Sequence, residues 1–273
     1  MSDTLQNQRV SDEPYTGQSY RESHPQKENA KDNVVRDVLI LMLITLAAGF
    51  LLGAAHAVTS GPIARAQARA RELAQRTVMQ EAESFETLAP SDGGAAQTGE
   101  EVPDGGLLQA VNTALEEAGI TGTAVTQIDL AKDASGDAIG YVVTSTNAEG
   151  YGGDVELMCG ITPGEDGSCR IGGISFLELT ETAGMGMRAK NESFLEQFSG
   201  KTIGAGMMLG YSRNGAAAEN EIDAISGCTI TTRAVTKDVN AALTAVRTVL
   251  EQTSGQAGQA GQTAQTEQTG QEG

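Results

Sequence analysis

Asp223-Ala224-Ile225-Ser226-Gly227-Cys228-Thr229-Ile230-Thr231-Thr232 is a hydroxyl-rich turn that runs straight into a helical pattern. Val235, Val239, Ala242, Leu243, Val246 and Leu250 recur at the spacing of one helix face. They predict a final helix from about residue 232 to 250. The turn therefore lies at a helix N-terminus, where unpaired backbone N–H groups and the helix dipole favour a phosphate. Composition alone gives these residues a plainer reading as an ordinary N-cap, since Ser and Thr are common there.

Upstream of the turn, four short β-prone runs cover residues 123–130, 139–146, 154–161 and 171–179. Turn residues at 133–137 and 163–168 separate the members of each pair, so both pairs read as hairpins. Leu107, Leu108, Val111 and Leu115 form a helix face, with Gly119 placed as its C-terminal cap. Asn191 is the candidate N-cap of a short helix carrying Phe194, Leu195 and Phe198. Residues 203–211 read as one further strand. Hairpins with helices before, between and after them predict an α+β fold with antiparallel strands and flanking helices.

The N-terminal third is different in kind. Residues 1–35 are polar and unpatterned, which reads as disorder. Residues 36–58 carry an almost unbroken apolar run, long enough to span a bilayer as a single anchor. Ala55-His56-Ala57 resembles a signal-peptidase site, but the run is longer than a signal h-region and a long polar segment precedes it. Residues 59–104 read as a helical stalk, with Pro62 in its first turn, followed by a Gly- and Pro-containing linker. The folded domain is expected over residues 105–251, and a Gln/Gly/Thr/Ala tail of low complexity over 252–273 reads as disordered. Lys27, Lys31 and Arg36 flank one side of the anchor and Arg65, Arg69, Arg71 and Arg76 the other, so charge does not set its orientation.

The formal net charge of −18 argues against nucleic acid as a partner. Two histidines and three cysteines are too few for a histidine metal site or a cysteine-rich cluster. No residue is expected to bind a metal or to act as a catalytic base on a substrate. A hairpin centred on Gly164 would set Cys159 opposite Cys169, close enough for a bridge. Two small buried thiols are the alternative.

Ser226-Gly227-Cys228-Thr229-Ile230-Thr231 resembles the Ser-Gly-Ala-Thr-x-Thr flavinylation motif of the FMN-binding domain family, with Cys228 in place of Ala. Three more stretches resemble the same family in the same order. They are Gly150-Tyr151-Gly152-Gly153-Asp154-Val155, Glu181-Thr182-Ala183-Gly184-Met185-Gly186, and Phe194-Leu195-Glu196-Gln197-Phe198 with Gly200-Lys201. Ala183 stands for the family's Pro and Met185 for its Leu. The order, spacing and anchor are most similar to G subunits of Rnf-type electron-transport complexes, and a related layout occurs in C subunits of the sodium-pumping NADH:quinone reductase.

The resemblance implies FMN joined to Thr231 through a phosphoester by a separate flavin transferase. Thr229, Thr232 and Ser226 are the competing acceptors. It implies that Ser226, Gly227 and Thr229 shape the phosphate turn, and that Glu181, Thr182, Gly184, Met185 and Gly186 form the loop facing the flavin ring. Arg213 would correspond to a cation near the flavin; as a plain surface charge it needs no such role. The implied function is electron relay, not catalysis by this chain alone, with the other Rnf subunits and the lipid bilayer as partners. The whole would couple ferredoxin:NAD⁺ oxidoreduction to Na⁺ or H⁺ translocation, with the FMN domain on the extracytoplasmic face. A stand-alone flavinylated electron-transfer protein and a non-redox anchored surface domain are the rival readings.

Overall fold

The computed structural model describes residues 30–89 and 105–268. The expected disorder at 1–35 falls largely outside these residues, as do the linker positions from 90 to 104 and the last five residues of the tail. The chain divides into two compact units, Met1–Pro62 and Ile63–Gly273.

The first unit contributes most of the long helix α1 (Ala30–Val78). Its apolar side chains from Val34 to Val58 are exposed, Leu39 by 59% and Phe50 by 73%, as suits a surface that faces lipid. Among the described residues, one segment is long and apolar enough to cross a membrane. Thr45 turns its hydroxyl back to the Met42 carbonyl at 2.9 Å, so this polar group is satisfied within the helix. Pro62 does not open a new helix as expected; it lies inside α1.

The second unit is built on a six-stranded antiparallel sheet whose spatial order follows the chain. Its strands are β1 (Ser84–Ala89), β2 (Thr123–Lys132), β3 (Ala138–Asn147), β4 (Val155–Pro163), β5 (Cys169–Leu179) and β6 (Thr202–Ile203). The two predicted hairpins are present. Asp133 Oδ1 caps the first turn by accepting from the N–H groups of Ser135 and Asp137, at 2.8 and 3.0 Å. Helix α2 (Gly105–Glu117) precedes β2, and α3 (Glu192–Leu195) follows β5. Phe194 and Phe198 meet edge to face there, with centroids 5.3 Å apart. The strand expected over 203–211 is instead two short pieces, β6 and β7 (Gly210–Ser212). The latter pairs in parallel with β8 (Glu221–Asp223).

Both faces of the sheet are covered, which the alternation of neighbouring residues shows. On β3, Val143 joins the core under the last helix, while Val142 packs with Ala131 and Met158 on the opposite face. The first face is covered by α4 (Thr229–Gln268), whose Val235, Val239, Ala242, Leu243 and Val246 are all buried as the stripe predicted. The second is covered by the end of α1 and the residues that follow it, through Ala74, Val78, Met79 and Ala82. A Cβ on Gly160 would lie 2.2 Å from the Val78 carbonyl oxygen, so only glycine lets this helix end settle on the strand. The folded unit thus begins within the expected stalk, well before residue 105. Helix α4 also runs past the expected end at 251.

The cysteine register corrects the expected bridge. Cys169 pairs with Pro163 and Cys159 with Ile174, because the turn occupies Gly164–Ser168 and β4 continues to Pro163. All three thiols are free and buried. Burial pushes the Cys159 and Cys169 thiols up, away from thiolate reactivity.

Candidate functional site

Three loops meet at one end of the sheet. Asn147, Val155 and Leu179 are partners across β3, β4 and β5. The β3–β4 connection and the chain leaving β5 therefore emerge side by side. The start of α4 is fastened to the same end. Asn147 donates to the Ala234 carbonyl at 3.4 Å, and Lys237 Nζ reaches Glu149 Oε2 and the Thr121 carbonyl, both at 2.8 Å. The Lys237 hydrogen bond holds the Glu149 carboxyl below its ordinary range.

The turn before α4 is locked from within. Gly227 has φ 78°, a left-handed conformation that glycine adopts without strain. Thr232 Oγ1 accepts from the Ile225 N–H at 3.1 Å and donates to the Cys228 carbonyl at 3.0 Å. The Arg188 guanidinium donates to the Ser226 carbonyl at 3.3 Å. The Thr232 hydroxyl is therefore committed to structure.

Thr231 faces the other way. It is 1% exposed, and its Oγ1 donates to Glu181 Oε1 at 2.8 Å. The Tyr151 N–H donates to the same oxygen at 3.0 Å. Glu181 Oε2 is buried and has no hydrogen-bond partner among the described residues. Its space exists because residue 186 is glycine: a Cβ there would lie 2.5 Å from it.

A cavity of about 220 Å³ opens beside this pair, lined by Tyr151, Glu181, Met185, Gly186, Gly227, Cys228, Ile230 and Thr231. Of the predicted site residues it gathers Glu181, Met185, Gly186, Gly227 and Thr231. Ser226, Thr229, Thr182 and Gly184 do not line it. The Thr182 carbonyl instead accepts from Met185 and Met187, which folds the loop into the 3-10 turn Gly186–Lys190. Arg213 is exposed and outside the lining, whereas Arg188 contacts the turn through the Ser226 carbonyl. Sequence reading missed Arg188, Tyr151 and Ile230. Tyr151 stood inside a quoted glycine motif, and Ile230 inside the acceptor motif as its variable position.

Tyr151, Met185 and Ile230 are exposed by 66, 47 and 40%. Three large apolar groups left open around one cavity suit a flat ring laid against them. The cavity is smaller than the ~300–1,000 Å³ that encloses a drug-sized ligand, so such a ring would be covered on part of its surface. The free N–H groups at the start of α4 suit a phosphate next to Thr231. One end of the site thus takes an anion and the other an aromatic system, which fits a flavin nucleotide.

Residues 150–244 match the FMN-binding domain family. The chain is 30% identical over 206 residues to the G subunit of the Na(+)-translocating ferredoxin:NAD(+) oxidoreductase complex of Acetobacterium woodii, covering 74% of this chain and 86% of that protein. It is 37% identical over 110 residues to the G subunit of the proton-translocating ferredoxin:NAD(+) oxidoreductase complex of Clostridium ljungdahlii, covering 40% and 55%. The C subunit of the Na(+)-translocating NADH-quinone reductase of Parabacteroides distasonis has a TM-score of 0.38 and 22% identity, over 60% of this chain and 75% of that one. That likeness is too distant to bear on the site. With an anchor-like α1 and an FMN-binding domain behind it, this is a membrane protein that belongs to the family of G subunits of ion-translocating oxidoreductase complexes.

Proposed function

We propose that the chain is an electron-relay subunit that holds FMN as a phosphoester on Thr231. It would act in a membrane complex that couples ferredoxin:NAD⁺ oxidoreduction to Na⁺ or H⁺ translocation, alongside the other subunits. The observation that supports it most is the placement of Thr231. Among the three threonines of the turn it alone lines the cavity, and it does so at the first turn of α4. When bound, the flavin supplies one- and two-electron redox chemistry. The chain's own residues hold and orient it. The α4 N–H groups and Gly227 receive the phosphate, and Tyr151, Met185 and Ile230 border the ring. Arg188 braces the turn from behind, whereas Arg213 is left as a surface charge.

A free threonine hydroxyl is a poor nucleophile, so a separate flavin transferase would join FMN from FAD to Thr231. Co-expression with such a transferase, followed by in-gel flavin fluorescence, tests the assignment. Thr231→Ala is expected to remove the fluorescent band completely, and a band of wild-type intensity would refute it. Thr231 is buried, so the variant's thermal unfolding is measured in parallel; Thr231→Ser, which keeps the hydroxyl, is expected to retain the band.

We place the FMN domain on the extracytoplasmic face, with residues 1–35 inside and 36–58 as the anchor. The family resemblance supports this, while the flanking charges lean the other way. Protease added to intact spheroplasts is expected to trim the domain; full protection would reverse the assignment.

A further inference from the structure

A carboxylate 2.8 Å from the hydroxyl that is to be esterified is placed to do more than hold it. Glu181 reaches that hydroxyl across 50 residues of sequence, from the chain leaving β5 to the first turn of α4. Its Oε1 is fixed from a second direction by the Tyr151 N–H at 3.0 Å. Its Oε2 lies buried with no hydrogen-bond partner among the described residues, in space that Gly186 leaves open. A buried polar atom without a partner costs stability, and the two hydrogen bonds to Oε1 leave Oε2 unexplained. The Thr231 O–H points at Oε1, which leaves the lone pairs of Oγ1 free. The cavity lies on that side, lined by both residues.

We propose that Glu181 is the proton acceptor for flavin loading of Thr231. This rests on the reading of Thr231 as the attachment residue and adds a role within the acceptor chain itself. In the step, Thr231 Oγ1 forms a bond to the flavin-side phosphorus of FAD. The pyrophosphate P–O bond breaks, and AMP leaves with the bonding electron pair. The Oγ1–H bond breaks, and its proton passes to Glu181 Oε1 and then to solvent. No oxidation or reduction takes place. The transferase and its metal activate the phosphorus, while this chain supplies the base, within hydrogen-bond reach of the proton it must take. The loop that carries Glu181 thereby serves loading as well as the bound ring.

The test is loading of the full chain in detergent by purified flavin transferase with FAD and Mg²⁺, followed by intact mass. Glu181→Gln keeps size and an acceptor oxygen but cannot take the proton as a carboxylate does. It is expected to slow loading at saturating acceptor by about 100-fold, in the range of general-base contributions, with KM for the acceptor chain changed less than about twofold on the same argument. Glu181→Asp is expected to recover part of the rate. Glu181→Ala is expected to load faster as formate is added, because a small carboxylate can occupy the vacated space, and a purely structural role would show no such rescue. Wild-type loading rates in Glu181→Gln, or no formate response in a folded Glu181→Ala, would overturn the proposal. Peptide mapping of loaded wild-type chain separates the two levels. Flavin on another residue removes the Thr231 reading, whereas flavin on Thr231 with a fast Glu181→Gln removes only the role of Glu181.

Discussion

Two carboxylates sit at α4, one half-buried and one fully buried, and they are treated in opposite ways. Glu181 meets the first turn, where one oxygen takes two hydrogen bonds and the residue borders a cavity. Asp238 lies further along the same helix and faces the sheet, fully buried, with neither oxygen hydrogen-bonded among the described residues. Thr144 Oγ1, also buried, lacks a partner too. Desolvation raises the Asp238 carboxyl well above its ordinary range. The Thr123 hydroxyl and the Asn147 amide oppose the shift, but neither makes a hydrogen bond to it. Asn147 is already engaged with Thr123 Oγ1 at 2.6 Å and with the Ala234 carbonyl. One acid thus reaches the start of α4 from another loop and borders the cavity, while the other lies within α4 and is buried in the core.

The comparison can be sharpened at each end. Thr232→Val should cost the most stability, about 1–2 kcal/mol, because it removes both hydrogen bonds that lock the turn. Since the Thr231 hydroxyl is untouched, flavin loading should continue, slowed but directed to the same residue. Loss of all loading in a folded Thr232→Val chain would mean that the hydroxyl of Thr232 itself takes part.

Asp238→Asn tests the other end, with a smaller effect. The folded-state pKa of Asp238 lies above its unfolded value, so the folded chain holds the proton more tightly. Its contribution to stability is fully present below the unfolded value. It is lost as pH rises through the raised folded one. Wild-type stability should therefore fall across that window, and the slope should shrink in Asp238→Asn. At pH 8 the variant should be more stable by roughly 1 kcal/mol, because no charge is left buried without a partner. Denaturant unfolding at several pH values measures this; an unchanged slope would show that Asp238 is solvated or paired in solution.

Legibility differed along the same lines. The hairpins and the α4 stripe could be read because turn residues and apolar periodicity are local signals. The cover on the second face of the sheet could not. Ala74, Val78, Met79 and Ala82 are mostly small and straddle a helix end, so they form no stripe. Strand β1 was hidden for a similar reason: Ser84–Ala89 is short, half polar and on the sheet edge. The expected cysteine bridge failed on turn length, which shifts register without changing the pattern of apolar residues. Within the site, Thr231 was legible through its motif. The Glu181 contact and the Arg188 hydrogen bond to the turn depend on loops that only tertiary structure brings together.

The central claim is that Thr231 carries the flavin. Its most direct test is tandem mass spectrometry of peptides from the full chain isolated after co-expression with a flavin transferase. The account predicts a single modified peptide spanning the turn, heavier by one FMN less one water, with fragment ions that place the added mass on Thr231. The added mass on Thr229, Thr232 or Ser226, or an unmodified turn peptide from a flavin-loaded chain, would contradict it.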